Sequence, residues 1–212
     1  MGQQGRSEAR MRLWHNAASP FARKVRIVAR ETGLGALVDE VQTLVNPAKP
    51  NADLAKENPL VKIPALATPD LGTLYDSAVI CEYLDSLNGE APLFPKAGPE
   101  RWRALRLQSL GDGILDAAVL LRYEGALRPE ALRWADWVSG QWSKVRGGLN
   151  ELERDCPTWD GRFGIGQITA ACVLGYLDFR FPGENWRQPH PALAAWFAKI
   201  STRPSVKETV PA

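Results

Sequence analysis

Residues 62–84 read KIPALATPDLGTLYDSAVICEYL, and the order of signals within them decides the fold. The segments 62–68 and 73–75 carry strand-forming residues on either side of Pro69, Asp70, Leu71 and Gly72, a combination that predicts a β-hairpin. Asp76 and Ser77 then open an amphipathic helix over 78–88, with Val79, Ile80, Tyr83, Leu84 and Leu87 on one face and Gly89 as the expected cap. Pro64 cannot donate to a β-ladder, so it belongs at a strand start or an edge. Because only about 5–6% of X-Pro bonds are cis, the residues alone favour a trans bond there.

Upstream, 11–15 alternate as a strand. Ser19 offers an N-cap hydroxyl and Pro20 suits a first helical position. Phe21, Val25, Val28 and Ala29 then form an apolar stripe at helical spacing, and Gly33 is the expected stop. A second strand is predicted over 36–43, and the polar, proline-containing segment 46–58 holds at most a short helix. The order is βαβ, loop, ββα.

Downstream, 89–99 contain three prolines and two glycines and read as a linker. Helices are predicted over 100–124, 130–154, 167–180 and 191–201. In the second of these Trp134, Val138, Gln141 or Trp142, Val145, Leu149 and Leu152 follow bundle spacing, and Trp137 and Trp196 also fall on core positions. The expected organisation is a loose tail over 1–10, a small α/β domain over 11–88, the linker, and an all-α domain over 100–212.

Composition narrows the function. Twenty-six Lys and Arg against 24 Asp and Glu leave a formal charge of +2, which argues for neither nucleic acid nor an acidic membrane as partner. Three cysteines, Cys81, Cys156 and Cys172, form no Cys-x-x-Cys pair, and with only two histidines a metal centre or a disulfide framework is not expected. No apolar run approaches the roughly 20 residues of a membrane span, and the first ten residues do not resemble a secretory signal, so a cytoplasmic protein is expected.

Several short motifs now combine. Ser19-Pro-Phe-Ala-Arg23 with Lys24-Val-Arg26, Asn58-Pro-Leu-Val-Lys-Ile-Pro-Ala-Leu66, Asp76-Ser-Ala-Val-Ile-Cys-Glu-Tyr-Leu84, Pro189-His-Pro-Ala-Leu193 and Arg203-Pro-Ser-Val206 occur in that order. Together they resemble the glutathione transferase superfamily over nearly all of residues 11–209, and the stretch from Cys172 to Arg180 is similar to a bacterial subgroup. The resemblance implies a thioredoxin-like first domain, an all-helical second domain, glutathione as cosubstrate and a homodimer, with no metal.

Carried onto this chain, the resemblance gives Ile63, before a cis Pro64, the role of pairing its backbone with the cysteinyl part of glutathione, as an added strand does. Asp76 and Ser77 would hold the γ-glutamyl end; read without the family, both are simply good helix caps. Lys62 is the candidate for the glycyl carboxylate. Arg23, Lys24, Arg26 and Arg30 read as an exposed cationic helix face, from which Arg23 could also meet the anion.

Members of the superfamily stabilise the thiolate with Tyr, Ser or Cys near the end of the first strand. No tyrosine precedes Tyr75 and no cysteine precedes Cys81, which leaves Ser19, with Asn16 as a rival donor and His15 assigned no role. The electrophile pocket is expected between the domains, with Leu110, Asp112, Ile114, Tyr123 and Arg180 as candidates, although packing alone would account for Leu110 and Ile114. Gly111 and Gly113 would let a ligand approach their helix closely, and Gly164 gives the 167–180 helix no side-chain cap.

The leading expectation is therefore a serine-type glutathione S-transferase acting on a small electrophile. A non-catalytic scaffold that binds glutathione or a protein is the alternative. Glutathione-dependent disulfide reduction comes third, since a serine cannot form the mixed disulfide.

Overall fold

The structure is a computed structural model, and it describes residues 10–88 and 92–212. The expected tail over 1–9, the Gly89 cap and the first part of the linker lie outside the described residues. Arg10, expected in the tail, donates from Nε to Asp39 Oδ2 at 2.8 Å. The chain divides into two compact units on either side of the Pro92–Leu93 bond.

The first unit runs β1 (Met11–His15), α1 (Pro20–Glu31), a 3-10 turn (Gly35–Leu37), β2 (Val38–Gln42), α2 (Leu54–Glu57), β3 (Ala65–Thr68), β4 (Gly72–Leu74) and α3 (Ser77–Ser86). The sheet order is β2-β1-β3-β4. β1 is parallel to β2, with Met11 opposite Val38, and antiparallel to β3, with Trp14 opposite Ala65. β4 returns antiparallel to β3. This is the expected thioredoxin-like βαβ-ββα arrangement, except that the 3-10 turn delays β2 to Val38; the bond from Ile63 to Pro64 is cis, as the resemblance implied and contrary to the residues read alone.

Trp14, Leu54 and Ala65 form a buried cluster against which Val41, Val45, Val61, Ile63 and Ala67 pack. Strand alternation leaves Leu13 and Leu66, both fully buried, for the opposite face. The sheet is therefore apolar on both sides, and burying each such leucine contributes about 1.5–3 kcal/mol.

The second unit is helical, as expected: α4 (Gly98–Ala126), a 3-10 turn (Glu130–Leu132), α5 (Ala135–Asp155), a 3-10 turn (Cys156–Thr158), α6 (Ile165–Arg180), α7 (Pro191–Ile200) and α8 (Pro204–Lys207). Every residue from 168 to 177 of α6 is buried, the pattern of a helix enclosed on all sides. α4 packs against both α5 and α6, and glycines set the approach. A Cβ on Gly148 of α5 would lie 2.4 Å from Ile114 Cγ1, and one on Gly166 of α6 would lie 2.6 Å from Leu107 Cδ2.

Three expectations for this unit are corrected. The 130–154 helix begins only at Ala135, since the Trp134 N–H is drawn to Glu124 Oε1 at 3.1 Å, and Trp134, placed in the core by spacing, is 64% exposed. Leu93 and Phe94, within the expected linker, are buried. Gly111 serves helix packing and not a ligand: a Cβ there would meet Thr169 Cγ2 at 2.6 Å. The start of α6 lacks a side-chain cap on its N–H groups, as expected, but the Gly164 and Ile165 N–H groups both find acceptors. Gln167 Oε1 accepts the Gly164 N–H at 3.2 Å, and the Leu93 carbonyl accepts from Ile165 at 3.1 Å. That carbonyl lies 2.8 Å from where a Gly164 Cβ would be, so the position that lacks a cap is the one that admits a neighbouring backbone.

Candidate functional site

Topology brings the candidate residues of the first unit to one end of its sheet. β1 finishes at His15 and leads to Ser19, while β3, antiparallel to it, begins beside Trp14 just after Ile63 and Pro64. β4 runs back toward that same end and delivers Asp76 and Ser77 to the start of α3, which packs against α1.

Ser19 is the N-cap of α1, with extended backbone, and its Oγ accepts the Ala22 N–H at 3.3 Å. Because the oxygen serves as acceptor, the hydroxyl proton is available to a second group. Asn16 folds the loop around it. Its Oδ1 accepts from Ala18 at 3.0 Å, its Nδ2 donates to the Thr43 carbonyl at 3.3 Å, and its own carbonyl receives the Ser19 N–H at 2.9 Å. Asn16 is thereby a loop organiser that holds Ser19 in place.

The Ile63 side chain packs into the Trp14 cluster, which anchors the residue, and among the described residues nothing bonds its backbone N–H or C=O. Lys62 is exposed at the side chain, while its carbonyl receives Asn58 Nδ2 at 2.9 Å. Asn58 is the positioning residue that sequence reasoning passed over: it is 1% exposed, and its Oδ1 also takes the Leu60 N–H at 3.0 Å. An asparagine closing a short helix and followed by proline was the available signal. Asp76 is exposed and caps α3 through the Ala78 N–H at 3.0 Å, and Ser77 beside it is buried.

The cationic helix face is a correction. Arg23 and Lys24 are 2% and 0% exposed, since residues 22–25 are buried consecutively and no side of α1 faces solvent at that level. Arg26 Nε and Arg30 Nη1 donate to Glu40 at 2.8 and 3.2 Å. His15, given no role, completes this cluster with Nε2 at 3.6 Å from Glu40 Oε2. Burial holds the His15 imidazole below its ordinary pKa; Glu40 opposes that effect and the two arginines reinforce it. Burial would raise the Glu40 carboxyl, but the hydrogen bond and charge of Arg26, followed by Arg30, bring it below the usual range.

In the second unit, Leu110 and Asp112 are half-buried on α4, whereas Ile114 is 2% exposed and packs where Gly148 makes room, so it is core and not pocket lining. Tyr123 and Arg180 are half-buried, and both lie near the buried Tyr176 hydroxyl. Cys81 and Cys172 are buried, and burial pushes the Cys156 thiol up to about 11, helped by Glu153 and Asp155.

The family model for the glutathione S-transferase N-terminal domain matches residues 18–87, and that for the C-terminal domain matches 135–199. The chain belongs to the glutathione S-transferase family. Within it, the chain is 31% identical over 206 residues to the uncharacterized GST-like protein YibF of Escherichia coli strain K12, covering 95% of this chain and 98% of that one. It is 47% identical to a glutathione transferase family member from Pseudomonas fluorescens Pf-5 whose crystal structure holds glutathione, with a TM-score of 0.93 over 95% of this chain and 99% of the other. A second crystal structure of a family member from that strain, at 45% identity and a TM-score of 0.89 over 95% and 100% of the two chains, holds S-(propanoic acid)-glutathione.

Proposed function

We propose that this protein is a glutathione S-transferase that binds glutathione along the Ile63–Pro64 edge of its first unit and activates the thiol with Ser19. The observation that supports the reading is the Ser19 oxygen, which accepts the Ala22 N–H at the start of α1; a hydroxyl that accepts there can still donate its proton to a thiolate. Ile63 would pair with the cysteinyl backbone, the α3 start at Asp76 and Ser77 would take the γ-glutamyl end, and Lys62 the glycyl carboxylate. Asn16 and Asn58 hold the two loops. The reading also carries a homodimer and a detoxifying role, as the family resemblance implies, and a cytoplasmic location, as the composition suggests.

Lowering a thiol pKa from about 8.5 to about 6.5 requires roughly 2.7 kcal/mol of preference for the anion. A hydrogen bond to a charged group contributes about 1.5–3 kcal/mol and a helix N-terminus about 0.3–1 kcal/mol. Ser19 and the first turn of α1 together reach that sum. The thiol proton leaves to water, and the sulfur lone pair forms a bond to the electrophilic carbon. That carbon expels a leaving group with its electron pair, or, at an activated alkene, the adjacent carbon takes a proton from water. The conjugate held by the Pseudomonas relative, with propanoic acid on sulfur, is a product of this kind. Reduction is disfavoured because serine stands where a mixed disulfide would need cysteine.

The test is a glutathione titration by calorimetry together with the ultraviolet absorbance of bound thiolate across pH, for wild type and Ser19→Ala. The expected result is that both bind and only wild type lowers the thiol pKa. Binding with an unshifted thiol in wild type would instead leave a scaffold, and no binding would remove glutathione from the account.

A further inference from the structure

The connection between α4 and α5 frames a cavity of about 360 Å³ lined by Glu124, Arg128, Leu132, Trp134 and Trp137, all from the second unit. Small-molecule sites span roughly 300–1,000 Å³, so the space suffices for one compact ligand. The connection itself holds the walls. Buried Glu124 takes Arg128 Nε at 2.7 Å on one oxygen and the Trp134 N–H at 3.1 Å on the other, and Arg133 Nη2 ties the loop to the Gly125 carbonyl at 2.7 Å. The hydrogen bond from Arg128 holds the Glu124 carboxyl below its ordinary range, so the pair is ionised. A ligand therefore meets groups already fixed, with little ordering left to oppose binding.

The valences left over are one-sided. Both Glu124 oxygens are engaged, whereas Arg128 spends only its Nε and keeps both terminal nitrogens unbonded among the described residues. The indole N–H groups of Trp134 and Trp137 make no hydrogen bond among those residues either, and an indole nitrogen can only donate. The lining side chains thus offer donors and no unengaged acceptor. Leu132 and Trp134 are 66% and 64% exposed, which leaves a patch of apolar surface beside those donors. A flat aromatic body covers such surface, and an anionic group on it takes the guanidinium fork in two parallel hydrogen bonds. A cationic guest is disfavoured, because Arg128 already holds the carboxylate it would need.

We infer that this cavity binds a planar aromatic carboxylate, with Trp134 and Trp137 as its ring contacts and Arg128 as its anion contact. The site uses no residue of the first unit and stands whether or not Ser19 activates a thiol. The experiment is calorimetric binding of 2-naphthoate and its neutral isostere 2-naphthamide to the full chain. A charge-assisted contact predicts that wild type holds the acid about tenfold tighter than the amide. Arg128→Gln brings that ratio to near one, and Arg128→Lys, a charge without the planar fork, recovers part of it. Each ratio compares two ligands on the same protein, which removes effects of folding. Trp134→Ala, at an exposed position before α5, weakens both ligands about tenfold. Failure of wild type to bind either ligand at millimolar concentration overturns the inference, and so does a wild-type ratio near one. A preference that persists in Arg128→Gln, or affinities that Trp134→Ala leaves unmoved, overturns the assignment to this cavity. Sedimentation of the same variants closes the test: a dimer that Trp134→Ala dissociates, with no ligand bound by wild type, gives the surface to a second copy of the chain instead.

Discussion

At the start of α1 the Ser19 hydroxyl takes an N–H from three residues away, and at the start of α3 Asp76 takes one from two residues away. At the start of α7 the receiver is Glu153 of α5, whose two oxygens accept from Ala192 and Leu193 at 2.9 and 2.8 Å, some forty residues along the chain. Glu124 does the same for Trp134 before α5, and the Leu93 carbonyl for Ile165 in α6. In the first unit α1 and α3 thus begin on local caps, and in the second α5, α6 and α7 begin on groups borrowed from other elements. A local cap leaves the helix start open, with donors facing outward, which is what a ligand site needs. A borrowed cap fuses helices and makes the bundle cooperative.

The comparison can be broken most directly at Glu153. Glu153→Ala removes an ionised acceptor from two N–H groups, and with each such bond at about 1.5–3 kcal/mol the expected destabilisation is about 3 kcal/mol. The matching change at a local cap, Asp76→Ala, costs about 1 kcal/mol. Urea denaturation of the two variants decides it: equal losses would mean that the borrowed caps carry no more than the local ones.

The next effect contrasts two glycines within α4. Gly111→Ala drives a methyl into Thr169, a stiff β-branched residue, and overpacking of this kind costs about 1–3 kcal/mol. Gly113 has nothing within 4 Å, so Gly113→Ala should stabilise by up to about 1 kcal/mol through helix propensity. Thermal melts moving in opposite directions are expected, and melts moving together would refute the close approach of α4 and α6.

These cases show what the sequence could reveal. Ser19-Pro20 and Asp76-Ser77 announce their helices because cap and donor lie within one turn, and the order of such signals was enough for the βαβ-ββα sequence of elements, which the family resemblance turned into a thioredoxin-like unit. Gly111, Gly148, Gly164 and Gly166 carry no local sign of their partners, Thr169, Ile114, Leu93 and Leu107, because those contacts join distant segments. The spacing of Trp134 misled for the same reason, since Glu124 ten residues earlier takes the Trp134 N–H just outside the start of α5. At the candidate site, the Asn16 amide became legible only once β1 and β2 had brought the Thr43 carbonyl beside it, whereas Asn58, whose partners Leu60 and Lys62 lie within four residues, could have been read from its place before Pro59. Ser19→Ala, smaller in stability at about 1 kcal/mol, checks that its cap is real apart from any ligand.

The smallest effect tests whether the first unit is as local as its caps suggest, because the His15 cluster joins β1, α1 and β2. Folded His15 titrates below 6.5, chiefly through burial, so in the window just under that value the unfolded chain binds a proton that the native protein refuses. The stability this provides is complete above about pH 6.5 and is lost as pH falls through the folded pKa. Glu40, also depressed, adds a second loss lower down, below its ordinary 4.5. His15→Gln should therefore flatten the melting temperature between about pH 7 and 5 while leaving the steeper fall at lower pH, which Glu40→Gln should in turn reduce. If wild type and His15→Gln gave parallel profiles through both windows, the imidazole would not be held neutral by its surroundings, and the cluster would be an ordinary surface ion pair.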